Sequence, residues 1–219
     1  LSLIISFLLN SIRATFHTIS NLLRHSLFIK MATPVPIAAN TPVSSETTFS
    51  TIDPGIYVVS NNMQRALSLQ VLEMLQASFM DDTKEQQFLD VGCGTGDFTR
   101  NHLLPRCTPL KRMVAVDVSE DMVEYARKNF AHPKISYDVL DISGNGVADF
   151  VKRYGQFDRV YSFHCLQRMS DQEAVLKNIA GLLKPNGGCL LIFGASTNSM
   201  RLNKKLATMD HWKKYRKVR

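Results

Sequence analysis

The chain has 219 residues, 45% hydrophobic and 21% charged, which is ordinary for one soluble globular domain with a sizeable core. Its net charge of +7 arises at the ends, since residues 201–219 carry +7 and residues 1–50 carry +2, so the centre carries −2 and has no excess of basic residues for binding nucleic acid. The four cysteines form no C-x-x-C pair, so we expect a cytoplasmic protein with reduced thiols and no metal.

The first 50 residues are predicted to be a disordered leader. Residues 1–9 are apolar but much shorter than the roughly 20 residues that span a bilayer, so we expect no stable membrane insertion. Acidic residues are absent before Glu46, which is typical of a transit peptide. Alternatively the protein starts at Met31, and residues 1–30 are upstream sequence that is not made in the cell. Residues 51–219 are then the folded domain.

Helices and strands alternate in the remaining sequence. A helix is predicted after Ser60, with an apolar face made of Met63, Leu67, Val71, Met74 and Leu75. Ser119 is predicted to cap a second helix, and Ser170 with Glu173 to form a capping box on another. Strands are predicted at 88–91, 113–116, 135–140, 157–163 and 189–193, with helical segments between them. This alternation predicts an α/β fold with a doubly wound, mostly parallel, Rossmann-like sheet.

The organising feature is the strand 88–91, which runs into glycines at alternate positions within 92–96. Glycine tolerates positive φ and lets a ligand approach the main chain closely. In parallel sheets, ligands bind beyond the carboxyl ends of the strands. Asp117, Asp141 and residues 162–164 end neighbouring strands, so we expect them to converge with the glycine loop on one site.

The spacing of the glycines bears on the ligand. G-x-G-x-G differs from the dinucleotide fingerprint G-x-G-x-x-G. Asp117 lies 21 residues after Gly96, a position suited to binding ribose hydroxyls. Asp97 directly follows the last glycine, where a carboxylate would compete with a phosphate but not with a cationic ligand. This pattern disfavours an NAD-binding protein, which is kept as an alternative.

Four motifs together resemble the class I S-adenosylmethionine-dependent methyltransferases. They are D-V-G-C-G-T-G at 90–96, V-D-V-S at 116–119, D-I at 141–142 and L-L-K-P-N-G-G at 182–188, and the resemblance extends over 52–196. It implies that the cofactor is S-adenosylmethionine and that the glycine loop passes under its methionine part.

The resemblance also implies which residues contact the cofactor. Asp117 would hold the ribose hydroxyls, and Val118 and Met122 would flank the adenine, although Met122 also fits an ordinary core position. Asp141 would accept from the adenine amino group, and Ile142 would donate its backbone amide. The complete predicted set is Asp90, Gly92, Cys93, Gly94, Gly96, Asp117, Val118, Met122, Asp141, Ile142 and Ser162.

A narrower resemblance, at 60–65, 162–167 and 210–215, is to the arthropod juvenile hormone acid methyltransferases, which esterify farnesoic acid or juvenile hormone acid. It implies a small apolar carboxylic acid as substrate. Gln64 matches a glutamine that contacts the carboxylate in that family, whereas Arg168 stands where the family has a tryptophan. The candidate catalytic residues are Gln64, His164 and Arg168.

Each of these residues has an alternative interpretation. His164 also fits a structural histidine that lines the site, and Arg168 also fits a solvated loop residue. The family usually adds a helix and two strands after the fifth strand, and only residues 197–219 follow it here. We therefore expect a domain that is truncated at its C-terminus, with an exposed sheet edge. A cofactor-binding protein or fragment without catalysis is the alternative function.

Overall fold

The structure is a computed structural model that describes residues 2–7, 52–75, 84–196, 205–206 and 208–209. The strands are β1 (Ser2–Phe7), β2 (Gln86–Val91), β3 (Leu110–Asp117), β4 (Ile135–Val139), β5 (Phe157–Phe163) and β6 (Leu183–Ser196). The α-helices are α1 (Pro54–Ser60), α2 (Asn62–Leu75), α3 (Glu120–Asn129), α4 (Val147–Tyr154) and α5 (Gln172–Leu182). Short helical turns lie at Thr99–Leu103, Leu104–Arg106 and Leu166–Arg168.

The six described strands form one sheet in the order β1-β6-β5-β2-β3-β4. Strands β2 to β6 are parallel, which confirms the predicted doubly wound fold. The chain proceeds from β2 to β3 and β4 on one side, and then returns to build β5 and β6 on the other. Strand order therefore reverses at β2, which places the glycine loop at the switch point where such sheets bind ligands.

Strand β1 lies within the segment that was predicted to be a disordered leader. Its backbone pairs antiparallel with β6, from Ser2 opposite Ser196 to Phe7 opposite Leu190. The structure therefore differs from the predicted disorder at residues 2–7, and it places this strand on the edge that was expected to be exposed. Residues 8–51 lie outside the described residues, so the boundaries of the leader and of the domain stay a prediction.

Alternate residues of the central strands pack into cores on opposite faces of the sheet, as the period of two requires. In β3, Met113 faces the core that Val71 of α2 and Val123 of α3 complete. Its neighbour Val114 faces the other core, which includes Phe150 of α4. Both cores are fully buried at the sheet, so the central strands form a rigid base for the loops at their ends.

Helix α2 has the predicted period but a different phase. Met63 is 75% exposed and Met74 is 68% exposed, whereas Ser68, Val71 and Leu72 are buried. The predicted apolar face was therefore wrong at both methionines. The reason is tertiary, because the start of α2 contributes Gln64 and Arg65 to a cleft instead of the core, and burial begins only at Ser68. This accounts for Met63, whereas nothing in the structure explains the exposure of Met74.

Helix caps show how much local sequence encodes. Ser119 caps α3 as predicted, accepting a hydrogen bond from Met122 N at 3.4 Å. At α5 the cap is Asp171, which accepts from Ala174 N at 3.0 Å, so the predicted capping box at Ser170 was wrong. Both residue types accept hydrogen bonds at helix starts, and a register difference of one residue is not visible in the pattern.

Candidate functional site

The glycine loop follows β2 with an unusual backbone. Gly92, Gly94 and Gly96 have φ of +77°, +55° and +75°, a region that residues with a Cβ rarely adopt. The amides of Gly92 and Cys93 both donate to the carbonyl oxygen of Val116, at 2.8 and 2.9 Å. These bonds fold the loop back onto the end of β3, and glycine is required at all three positions.

Each glycine also lies against a different part of the fold. A Cβ added at Gly92 would lie 2.4 Å from the Sγ atom of Cys165, which follows β5. At Gly94 it would lie 3.2 Å from the ring of Tyr57 in α1, and at Gly96 it would lie 2.8 Å from the Cβ of Ala126 in α3. The loop is therefore enclosed on three sides, and there is room only for main chain.

Asp117 meets the glycine loop as expected. Its Oδ2 atom accepts from Gly94 N at 2.9 Å, and its Oδ1 atom accepts from Ser119 N at 3.0 Å. A carboxylate oxygen has two acceptor positions, so each oxygen keeps one for a further donor such as a sugar hydroxyl. Of the two neighbouring predicted residues, Val118 is half-buried and Met122 is buried.

An open cleft lies between α1, α2, the glycine loop and the end of β5. Its volume is about 410 Å³, counting the solvent-filled mouth. It is lined by Tyr57, Asn61, Gln64, Arg65, Ser68, Asp90, Gly92, Cys93, Asp97, Phe98, Phe163 and His164. The cleft therefore brings two predicted catalytic residues, Gln64 and His164, to three predicted cofactor residues, Asp90, Gly92 and Cys93.

Asp90 is a buried carboxyl group on the floor of this cleft, with 2% of its surface exposed. Burial raises its pKa to about 7, although the hydrogen bond from Thr99 Oγ1 to Asp90 Oδ2, at 2.6 Å, acts in the opposite direction. The group is thus close to half ionised near neutral pH. A cation bound beside it would favour the ionised form.

His164 lies at the end of β5 with a backbone φ of +54°, which is uncommon for a residue other than glycine. Its backbone amide donates to Ile192 O at 2.6 Å. Burial lowers the pKa of its imidazole, and a hydrogen bond with the backbone of Gln64 acts against this shift. Among the described residues, Nε2 has no partner. The imidazole of His164 therefore contacts the backbone of Gln64, and its other ring nitrogen is buried without a hydrogen bond in this part of the chain.

Other predicted residues lie outside the lining of the cleft. Ser162 is fully buried, and its hydroxyl donates to Val91 O at 2.9 Å, which links β5 to β2. Asp141 is exposed and accepts from the backbone N and the hydroxyl of Ser143, at 2.8 and 2.6 Å, while Ile142 is buried. None of these three residues lines the cleft that contains Gln64 and His164.

Arg168 is exposed and lies on the turn after β5. It does not line the cleft, but its charge reaches Tyr57, which does. Burial raises the pKa of the Tyr57 hydroxyl, and the hydrogen bond with Asn61 and the positive charge of Arg168 oppose this shift. Arg168 therefore lies near the cleft without forming its wall.

Sequence reasoning did not reveal the partners of Asp97 and missed Tyr57. The carboxylate of Asp97, which was expected to compete with a phosphate, forms an ion pair with Arg65 and also accepts from Thr95 Oγ1 at 2.7 Å. Tyr57 was missed because α1 was not predicted. The signal for α1 was present in Asp53, which caps it by accepting from Ile56 N at 2.9 Å, followed by a proline at the first helical position.

The described residues contain neither a cluster of metal ligands nor a membrane-spanning helix. Among them, no group of three or more His, Cys, Asp or Glu side chains is arranged to hold a metal ion. No helix in these ranges is long and apolar enough to cross a bilayer. The four cysteines are free thiols.

Comparison with known proteins identifies the family. Residues 88–187 match the methyltransferase domain family. A juvenile hormone acid O-methyltransferase of Bombyx mori is 32% identical over 157 residues, which cover 72% of this chain and 55% of that protein. The protein of the same name from Drosophila melanogaster is 33% identical over 160 residues, covering 72% of this chain and 53% of that protein. The chain spans about half the length of these relatives.

Solved structures agree on the fold. A SAM-dependent methyltransferase from Anabaena variabilis superposes with a TM-score of 0.52 at 21% identity, covering 70% of this chain and 63% of that one. This likeness confirms the Rossmann-like architecture, and the family match covers the glycine loop, Asp117 and the strands between them. Residues 88–187 therefore belong to the class I methyltransferase family, and S-adenosylmethionine is the cofactor of this domain.

Proposed function

We propose that this chain is an S-adenosylmethionine-dependent O-methyltransferase. Its substrate is a small-molecule carboxylic acid with a long apolar chain, of the farnesoic acid or juvenile hormone acid type, and the protein esterifies the carboxylate. The observation that carries the proposal is the cleft in which Gln64 meets His164 beside the glycine loop. The names of the two insect relatives support a carboxylate as the acceptor.

The residues present fit the cofactor. Gly92 lines the cleft without a side chain, so a ligand can approach the main chain of the glycine loop there. Asp117 keeps acceptor positions for ribose hydroxyls, and Asp90 offers a buried carboxylate to a cationic group. When bound, the cofactor supplies a methyl group on a positively charged sulfur. Contacts of Val118, Met122, Asp141 and Ile142 with the adenine, and of Cys93 and Ser162 with the cofactor, are part of the same proposal.

A carboxylate acceptor needs little chemical help from the protein. Carboxylic acids titrate near ~4, so the acceptor is already ionised at neutral pH and requires no general base. The task of the protein is to hold the oxygen in line with the methyl group at close distance. The side-chain amide of Gln64 can donate one N–H to a carboxylate oxygen and so fix its direction.

His164 contributes in a way that depends on its protonation. A neutral imidazole has one N–H, and we assign it to the hydrogen bond with the Gln64 backbone, because this bond raises the pKa. The free nitrogen Nε2 is then an acceptor and becomes a donor only when the ring is protonated. We propose that a bound carboxylate favours the protonated ring and pairs with it. We propose that Arg168 strengthens binding of the substrate near the mouth of the cleft. Tighter binding of the substrate alone does not accelerate methyl transfer.

Methyl transfer can be measured directly on the full chain. With methyl-labelled S-adenosylmethionine and farnesoic acid we expect a labelled methyl ester, and with farnesol, which lacks the carboxylate, we expect none. Gln64→Ala should lower kcat/KM by about 10- to 100-fold, because an orienting hydrogen bond to a charged group contributes roughly 1.5–3 kcal/mol. Gln70→Ala is the matched control, since Gln70 is exposed on the same helix.

Two outcomes would contradict the proposal. Equal turnover of Gln64→Ala and wild type would remove Gln64 from the substrate site. Calorimetric binding of the cofactor without ester formation from any apolar acid would instead identify a cofactor-binding protein without catalysis.

A further inference from the structure

Arg65 is the centre of a polar cluster at the junction of α1 and α2. Its guanidinium donates to Val58 O at 3.1 Å, to Asn61 Oδ1 at 2.7 Å and to Asn62 Oδ1 at 2.9 Å. It also forms the ion pair with Asp97, which lies 32 residues further along the chain, directly after the glycine loop. The side chain of Arg65 thus joins the α1–α2 segment, residues 54–75, to the end of the glycine loop.

The partner of Arg65 is held rigidly. The Asp97 side chain is 7% exposed, against 21% for Arg65. Thr95, which is fully buried, donates to the second carboxylate oxygen of Asp97 at 2.7 Å. Because both oxygens of Asp97 are engaged, its carboxylate cannot turn away without losing a hydrogen bond.

The first part of the α1–α2 segment has little apolar burial to hold it in place. None of the residues of α1 is buried, and in α2 burial begins at Ser68. Yet residues 54–67 supply Tyr57, Asn61, Gln64 and Arg65 to the cleft. Elements with few buried apolar contacts open at low free energy, so polar bonds must determine the position of this part.

From this arrangement we infer that Arg65 is a positioning residue, and that its ion pair with Asp97 holds residues 54–67 over the glycine loop when the cofactor is bound. The pair acts on the cofactor through the walls of the cleft, and on the substrate through Gln64, the neighbour of Arg65 in sequence. The effect on Gln64 rests on the proposed function, whereas the effect on cofactor binding does not.

Hydrogen exchange and calorimetry with S-adenosylmethionine test the inference without any substrate. Arg65→Met and Asp97→Asn should each weaken cofactor affinity by about tenfold, as expected for a partly buried pair. Amides of residues 54–67 should exchange about tenfold faster in both variants. The double variant should be no weaker than the poorer single variant, because the two residues act as one unit. Arg65→Lys should recover part of the affinity, since it keeps the charge but loses the planar fork.

A control variant is available on the same helix. Glu73 pairs with Arg106 at 3.8 Å, and its side chain is 65% exposed. Glu73→Gln removes an ion pair between α2 and the rest of the domain without touching the cleft, so cofactor affinity and exchange at 54–67 should stay within about twofold of wild type. Amides of β3 and β4 report whether each variant is folded.

The inference is overturned if Arg65→Met weakens cofactor binding while Asp97→Asn does not, because Arg65 would then act without its partner. It is equally overturned if folded variants bind normally and residues 54–67 exchange at the wild-type rate. Should both variants fail to fold, Arg65→Lys decides, since a pair that positions the segment still predicts faster exchange confined to 54–67. Failure of ester formation alone would contradict the proposed function and leave this inference intact.

Discussion

The two ends of the sheet differ in how fully their polar groups are paired. At the amino end, Gln87 accepts from Arg112 Nε at 2.7 Å and donates to Tyr154 O at 2.8 Å. Asp158 there accepts from Gln87 N and from Lys184 Nζ, both at 2.7 Å. These bonds join β2, β3, β5, β6 and α4. The amino end is therefore a saturated network that holds the strands in register.

The carboxyl end shows the opposite pattern. Three glycines take positive φ in one loop, and His164 takes positive φ without being a glycine. The carboxyl group of Asp90 is buried with a raised pKa, and His164 Nε2 lacks a partner among the described residues. Such features lower stability and are tolerated where a ligand uses them. The difference indicates that the amino end stabilises the fold, whereas the carboxyl end is arranged for binding.

Gly92→Ala should have the largest effect. The alanine would have to keep a backbone φ of +77°, and its Cβ would lie 2.4 Å from Cys165 Sγ. Backbone strain and overpacking together should lower the free energy of unfolding by about 3 kcal/mol. Cofactor binding should be lost as well. Urea denaturation and calorimetry measure the two effects.

The control for this prediction is Gly181→Ala. A Cβ at Gly181 has no atom within 4 Å, and the residue is exposed in α5, so alanine should stabilise the protein by roughly 0.5–1 kcal/mol. Equal stability of the two alanine variants would mean that the glycine loop tolerates side chains.

Arg112→Met tests the amino end. It leaves the Gln87 side-chain oxygen without its donor and Tyr154 O with only the hydrogen bond from Gln87. It also removes the contact of the guanidinium with the Tyr154 ring, 5.5 Å from its centroid. We expect a loss of about 2 kcal/mol in the free energy of unfolding with cofactor affinity unchanged at temperatures where the variant is folded. Weaker cofactor binding by the folded variant would contradict the division between the two ends.

Sequence alone predicted the part of the site that local pattern encodes. Strand endings and glycine spacing placed Asp117 beside the glycine loop, and the structure joins it to Gly94 by a hydrogen bond. Pattern did not reveal the pairing of Arg65 with Asp97, because ion pairs between distant segments leave no periodic signal. The prediction of the buried face of α2 was wrong for a related reason, since the elements that pack on a helix determine which of its faces is covered.

Asp90 should make cofactor binding depend on pH. Its pKa is raised above the ordinary carboxyl value to about 7, so below this pH most molecules of the free protein carry a proton on Asp90. If the positively charged cofactor binds the ionised form, affinity should rise with pH up to about 7 and then level off, with a limiting slope of about tenfold per pH unit below it. Asp90→Asn should bind more weakly and lose this slope. If the affinity of the wild type for the cofactor is constant between pH 6 and 8, Asp90 does not interact with the positive charge of the cofactor.

His164→Asn should have the smallest effect on stability and a selective effect on the substrate. Asparagine tolerates positive φ, and its side-chain amide can replace the N–H that His164 donates to the Gln64 backbone. Nε2 of His164 has no partner to lose among the described residues, so the free energy of unfolding should change by less than about 1 kcal/mol. Burial lowers the pKa of the imidazole, so the ring is mostly neutral at pH 7, and a carboxylate that pairs with the protonated ring must bind together with a proton. The KM for the acid should therefore rise as pH increases above this lowered pKa in the wild type, and it should be less dependent on pH in the variant. Because the effect of Asp90 on the cofactor has the opposite sign, measuring the two KM values separately distinguishes them. A wild-type KM for the acid that is independent of pH would leave His164 as a structural wall of the cleft.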